Sequence, residues 1–86
     1  MDPHTTNVGR EACHASRDSF LACVEQYLPA IPSDATVQDA EKLRKAALAA
    51  QQCAPQRAAY DTTCLPSWRS YWDDRFAKGR PILGRK

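Results

Sequence analysis

Four cysteines in two pairs constrain this 86-residue chain more than any other feature. Nine residues separate Cys13 from Cys23, and ten separate Cys53 from Cys64. If both segments are helical, Cys53 and Cys64 point within about 20° of each other, and Cys13 and Cys23 within about 80°. Each pair is then separated by about 15–16.5 Å of helix rise. A disulfide tolerates a Cα separation of only roughly 7 Å, so neither pair can bond within its own helix.

The disulfides must therefore join the two segments, and two connectivities remain. An antiparallel hairpin bonds Cys13 to Cys64 and Cys23 to Cys53, whereas a parallel arrangement bonds Cys13 to Cys53 and Cys23 to Cys64. The parallel form requires the 29 residues between the motifs to return the full length of the first helix. They are long enough to do so, and the spacing favours the antiparallel form without excluding the other. We predict an all-α fold: a disulfide-stapled antiparallel helical hairpin with a short C-terminal helix.

The size of the chain explains why such staples are needed. A single domain of this length buries only about 60–65% of its unfolded surface, so its core alone is marginal. Closing a loop of ~50 residues adds about 4 kcal/mol in the chain-entropy model, and a loop of ~30 residues slightly less. Structural disulfides also require an oxidising compartment. The first seven residues resemble neither a secretory signal nor a matrix presequence, which leaves the intermembrane space of mitochondria or a processed form of a secreted chain.

Helix and breaker signals divide the single domain, residues 1–86, into consecutive stretches. Gly9 is expected to delay regular helix, while the Pro29–Asp34 cluster and Pro66 interrupt it. Arg17 and Asp18 are assigned to a solvent-exposed face of the first helix. The predicted stretches are an irregular arm (1–10), a first helix (11–28), an insertion with a capped helix (29–52), the second cysteine motif (53–64), and an aromatic helix with a basic tail (65–86).

Apolar spacing identifies the faces that should be buried. The stripe of the first helix comprises Cys13, Phe20, Cys23, Val24 and Tyr27, and Tyr60 lies on the cysteine face of the second motif. In the insertion, Thr36 and Asp39 have the spacing of a capping box. The helix behind them has only a thin apolar face, which includes Val37, Ala40, Leu43, Ala47 and Ala50. A break is expected near Ala54, because Pro55 suits the start of a new helix.

The final helix, roughly Ser67–Ala77, carries Trp68, Trp72 and Phe76 at spacings of four. A thin hairpin cannot cover three large aromatic side chains on one face, and tryptophan is enriched among interface hot spots. These side chains either fold back onto the hairpin or form an interface with a partner. If both hold, Trp68 would lie inside the hairpin and Trp72 would be shared between the hairpin and the partner. We expect partner binding by Trp68, Trp72, Asp73 and Phe76. The basic tail is either solvated or contacts an acidic surface or anionic lipid head groups.

No motif for catalysis, a metal or a cofactor is evident. Structural zinc sites pair their cysteines at C-x₂₋₄-C and redox enzymes use C-x-x-C, and this chain has neither spacing. His14 is expected to be exposed and without a ligand role, and the serines have no positioned histidine. No apolar run approaches the roughly 20 residues that span a bilayer. A net charge of +2 is too small to indicate nucleic-acid binding.

The cysteine spacing resembles that of the twin CX9C family of the mitochondrial intermembrane space, in its CX9C…CX10C variant. The stretch from Trp68 to Gly79 is similar to the W-x-x-x-W-D-x-x-R-A-x-G ending of cytochrome c oxidase subunit 6B, with Arg75 one place early. Arg17-Asp18 resembles the C-x-x-x-R-D of cytochrome c oxidase assembly factor 6. The resemblance covers roughly residues 11–28 and 53–80, and both relatives join their motifs by a much shorter segment.

The resemblance implies a non-catalytic structural subunit of mitochondrial cytochrome c oxidase, peripheral on the intermembrane-space side of respiratory complex IV. The expected partners are other subunits of a respiratory complex and, during import, an oxidoreductase of the intermembrane space that would dock near Phe20 and Tyr60. The alternatives are a copper- or thiol-handling assembly factor for the oxidase, which Arg17-Asp18 favours, and an accessory subunit of another respiratory complex. The insertion would add contact surface.

Overall fold

The computed structural model describes residues 7–85, and this part of the chain contains helices and loops but no strand. The elements are α1 (Asn7–Tyr27), α2 (Val37–Leu48), a 3₁₀ turn (Gln51–Cys53), α3 (Ala54–Thr63) and α4 (Pro66–Ala77). Cys13 bonds to Cys64 with a Cα separation of 5.0 Å, and Cys23 bonds to Cys53 with one of 6.0 Å. The start of α1 therefore meets the end of α3, and the two helices are antiparallel. The predicted all-α hairpin is confirmed.

Helix α1 starts earlier than the sequence suggests. It begins at Asn7 and continues through Gly9, so the expectation of an irregular arm up to residue 10 is wrong for residues 7–10. A glycine inside a helix costs only about 1 kcal/mol relative to alanine, and a helix of 21 residues tolerates one. Residues 1–6 lie outside the described part of the chain.

The buried face of α1 includes a charged residue. Phe20 and Val24 are buried as predicted, and Leu21 is buried with them, whereas Tyr27 is 55% exposed. Arg17, assigned to the solvent-exposed face, is 0% exposed. At about 100° per residue, position 17 lies about 40° from Cys13, between the directions of Cys13 and Leu21. The helical period therefore places Arg17 within the buried stripe.

Helix α2, in the insertion, packs at the edge of the core. The Thr36 hydroxyl accepts a hydrogen bond from the Asp39 N–H at 3.0 Å, which is the cap that the sequence predicts. Val37 is 76% exposed, and no residue of α2 is buried. Arg44 donates a hydrogen bond from Nη1 to the carbonyl oxygen of Ala77 at 3.2 Å. The insertion is thus attached to the end of α4, and its exposed face is the surface it could offer a partner.

Two prolines start the last two helices. Pro55 and Pro66 each lie at the first or second helical position of α3 and α4, where the missing N–H carries no penalty. The 3₁₀ turn and the start of α3 agree with the break expected near Ala54. Phe20 and Tyr60 are buried as predicted and stack with ring centroids 5.2 Å apart. This pair joins α1 to α3 between the two disulfides.

A glycine cap ends α4 and turns the basic tail back toward the hairpin. Gly79 has a φ of 72°, and its N–H donates to the Phe76 carbonyl at 3.0 Å, while the Arg80 N–H donates to the Arg75 carbonyl at 2.9 Å. These two bonds form a Schellman motif. Farther along, Arg85 forms an ion pair with Glu25 on α1. The described part of the tail is therefore attached at both ends, and Lys86 lies outside it.

Candidate interaction surface

Two tryptophans of α4 and a histidine of α1 form a cluster of three rings. Trp68 and Trp72 meet edge to face with centroids 5.4 Å apart. His14 lies 5.4 Å from Trp72 and 6.4 Å from Trp68. His14 is half-buried, so the expectation that it is exposed is wrong. Its position on α1, one turn before Arg17, orients it toward α4.

Arg17 supports this cluster from beneath. Its guanidinium carbon lies 4.7 Å from the centroid of the Trp72 ring, a cation–π distance. The Arg17 Nε donates a hydrogen bond to the Asp18 carboxylate at 2.9 Å. Nη1 is buried and finds no hydrogen-bond partner among the described residues. The expectation that Arg17 and Asp18 are solvent charges is wrong for Arg17, which holds Trp72 in place.

An open cleft lies over these rings. It has a volume of about 360 Å³, and its walls are mainly apolar. We name it the aromatic cleft, and its lining residues are Arg10, His14, Trp68, Tyr71 and Trp72. Tyr71 is 55% exposed and Trp68 is partly exposed, so both offer aromatic surface to a partner. Arg10 adds a cationic group to the wall.

The Asp73 carboxylate accepts hydrogen bonds from other residues of the chain. Arg57 donates to it from Nη1 at 3.1 Å, and the Tyr60 hydroxyl donates to its other oxygen at 3.3 Å. Tyr60 also donates to the carbonyl of Arg69 at 3.3 Å. Burial, with help from the Asp73 charge, raises the pKa of the Tyr60 phenol. These bonds attach α4 to α3 and so set the orientation of the aromatic cleft.

The four residues predicted to bind a partner differ in how far the structure buries them. Trp72 and Phe76 are each 7% exposed and belong to the core. Asp73 is occupied by Arg57 and Tyr60, and its side chain is 24% exposed. Trp68 remains at the surface. Trp68 packs against the core but is partly exposed, whereas Trp72 is buried beside Arg17, so the expectation that Trp68 is the inner of the two tryptophans is wrong.

Three residues of the cleft were missed from the sequence: Arg10, His14 and Tyr71. Arg10, His14 and Arg17 follow one another at spacings of four and three, so they share a helical face. That signal is lost when the first helix is predicted to begin only at residue 11. Tyr71 is three residues from Trp68 and shares its face on α4 by the same rule.

All four cysteines are in disulfides. Among residues 7–85, no group of three or more His, Cys, Asp or Glu side chains is placed to hold a metal ion. Within the same range, none of the helices combines the length and apolar character that crossing a membrane requires.

Comparisons with known proteins give one family. The model of the family described as cytochrome oxidase c subunit VIb matches residues 3–81 of this chain. Searches of curated proteins and of solved structures found no match.

Proposed function

We propose, from the premise that this chain belongs to the cytochrome oxidase c subunit VIb family, that it lies on the intermembrane-space side of the enzyme. Family membership makes the chain a non-catalytic, structural subunit associated with mitochondrial cytochrome c oxidase, respiratory complex IV. The observation that carries the proposal is the family match over residues 3–81, which includes both cysteine motifs and the whole of α4.

The two disulfides support the choice of compartment. They close nested loops, with separations of 51 and 30 residues between the bonded cysteines. Disulfides of this structural kind persist in oxidising compartments and are rare where thiols are kept reduced. On the intermembrane-space side, the hairpin would keep both bonds while it is attached to the oxidase.

We further propose that the aromatic cleft attaches the chain to other oxidase subunits. Trp68 and Tyr71 present aromatic surface at one end of a rigid hairpin, and Arg17 and Asp73 hold their helix in place from within. Tryptophan and tyrosine are among the residues that carry most binding energy at protein interfaces. Three of the residues first expected to bind a partner act instead by positioning this surface: Trp72, Phe76 and Asp73.

Import would precede this attachment. We propose that an oxidoreductase of the intermembrane space forms the two disulfides and docks on the chain near Phe20 and Tyr60. Both side chains are 0% exposed and stack on each other in the folded hairpin. Docking there therefore requires the reduced, unfolded chain, and folding would release the oxidoreductase.

The test uses gently solubilised mitochondria on a native gel, probed for this chain and for a core oxidase subunit. We expect both signals in one band. A second sample, with the outer membrane ruptured and protease added before solubilisation, should lose this chain while a matrix marker survives. Migration with another respiratory complex, or a small free pool as expected of an assembly factor, would contradict the subunit role. Survival of the chain beside the matrix marker would contradict the location.

A further inference from the structure

A second cavity, which shares no lining residue with the aromatic cleft, is lined by arginines. It lies between the end of α1, the middle of α2 and the segment after α4, and has a volume of about 210 Å³. We name it the arginine pocket. Three guanidinium groups and one carboxylate are among its walls, with apolar groups completing them: Arg44, Arg80, Arg85, Glu25, Phe76 and Ile82.

The charges of the pocket do not balance. Arg85 forms an ion pair with Glu25, the only acidic residue of the lining. Arg44 donates from Nη1 to the Ala77 carbonyl, which uses one of its five N–H donors. The Arg80 side chain is exposed and makes no ion pair within residues 7–85. The lining thus carries two positive charges in excess, in a chain whose total net charge is +2.

The structure fixes the Arg44 side chain and the backbone segment that carries Arg80. At Gly79, an added Cβ would lie 2.9 Å from Arg44 Nη1 and 3.1 Å from its Cζ, so the Arg44 guanidinium packs directly against the glycine backbone. Arg75 donates to the Pro81 carbonyl from two nitrogens, at 2.9 and 2.7 Å, which secures the segment that carries Arg80. Positioning of this kind lowers the entropy that binding a ligand would otherwise cost.

We propose that the arginine pocket binds a phosphate group. Guanidinium groups present planar, paired N–H donors that match the oxygens of phosphate. The volume is below the roughly 300–1,000 Å³ of pockets for drug-sized ligands, and it suits a single phosphate group. The same chemistry is found in inorganic phosphate and in the head group of an anionic lipid. The proposal does not rest on attachment through the aromatic cleft, because the two cavities share no lining residue.

The first experiment titrates inorganic phosphate into the ¹⁵N-labelled, oxidised chain at low salt and follows the amide resonances. We expect saturable shifts centred on Gly79, Arg80 and Ile82. Arg80→Gln should weaken binding about tenfold, as expected for loss of a charged hydrogen-bond donor. Lys42→Gln is the matched control: it removes one positive charge from α2 at an exposed residue outside this pocket, and it should change the affinity less than about twofold.

A second experiment identifies the source of the phosphate group. The same variants are sedimented with phosphatidylcholine vesicles that either lack or contain phosphatidic acid. Binding that requires phosphatidic acid and is weakened by Arg80→Gln identifies a lipid head group, whereas site-specific shifts with inorganic phosphate alone identify a free phosphate. Equal weakening in Arg80→Gln and Lys42→Gln, shifts spread over all basic residues, or binding of neither probe would overturn the proposal.

Discussion

Arg17 allows the sharpest test of how the hairpin supports the aromatic cleft. Replacing Arg17 by alanine removes a buried cation–π contact with Trp72, which we take as about 2 kcal/mol in a desolvated site. It also removes two packed methylene groups, at about 0.8 kcal/mol each, and breaks the ion pair between Arg17 and Asp18. The substitution also removes Nη1, a buried donor without a hydrogen-bond partner. Burying such a group costs about 1–3 kcal/mol, so its removal offsets part of this loss. We expect Arg17→Ala to lower the free energy of unfolding by about 2 kcal/mol.

Arg17→Met is the matched control, because methionine keeps most of the packed stem and removes only the charge. We expect its destabilisation to be about 1.6 kcal/mol smaller than that of alanine, the value of two buried methylene groups. Urea titrations of the oxidised proteins, followed by far-UV circular dichroism, give both differences. The reasoning is refuted if Arg17→Ala lies within about 0.5 kcal/mol of the wild type, the range of ordinary surface substitutions, or if alanine and methionine are equivalent.

Three further predictions concern stability. Gly79→Ala should cost about 1–2 kcal/mol in a urea titration, because alanine is strained at a φ of 72° and its Cβ would crowd Arg44; a change near zero would contradict this. Burial raises the pKa of Tyr60, so the folded chain keeps a proton that the unfolded chain releases above about pH 10. The free energy of unfolding should therefore fall with rising pH beyond that point, and Tyr60→Phe should reduce the fall; equal slopes in both proteins would be the contrary result. Replacing Cys13 and Cys64 together by serine should cost about 4 kcal/mol in the chain-entropy model, measured by thermal unfolding, and an unchanged midpoint would argue against the staple.

The hairpin could be predicted because it depends on local spacing. The separation of each cysteine pair excludes bonds within a helix, and the prolines at 55 and 66 mark where helices restart. The cap at Thr36 follows from a pattern of four residues. Each of these features is decided by geometry within a few turns of chain, so the sequence alone suffices for them.

The interaction surface was harder to predict because it depends on contacts between distant residues. Arg17 was assigned to solvent from its charge, although its position in the helical period lies within the buried stripe. Trp72 is buried because its ring lies against Arg17 of α1. Two hydrogen bonds between Asp73 and α3 help to hold α4 there, and they join residues 13 and 16 positions apart. The Arg44 contact with Ala77 joins residues 33 positions apart. The apolar periodicity of a single helix cannot predict contacts between residues so far apart in the sequence.

Two tyrosines provide the most direct test of attachment through the aromatic cleft. Tyr71 and Tyr27 are both 55% exposed, but only Tyr71 lines the cleft. Mitochondria expressing Tyr71→Ala or Tyr27→Ala in place of the natural chain are compared on native gels for the fraction that migrates with cytochrome c oxidase. We expect Tyr71→Ala to lower this fraction severalfold, as for an interface hot spot, and Tyr27→Ala to leave it unchanged. Full retention of Tyr71→Ala, or equal loss of both variants, would contradict attachment through the cleft.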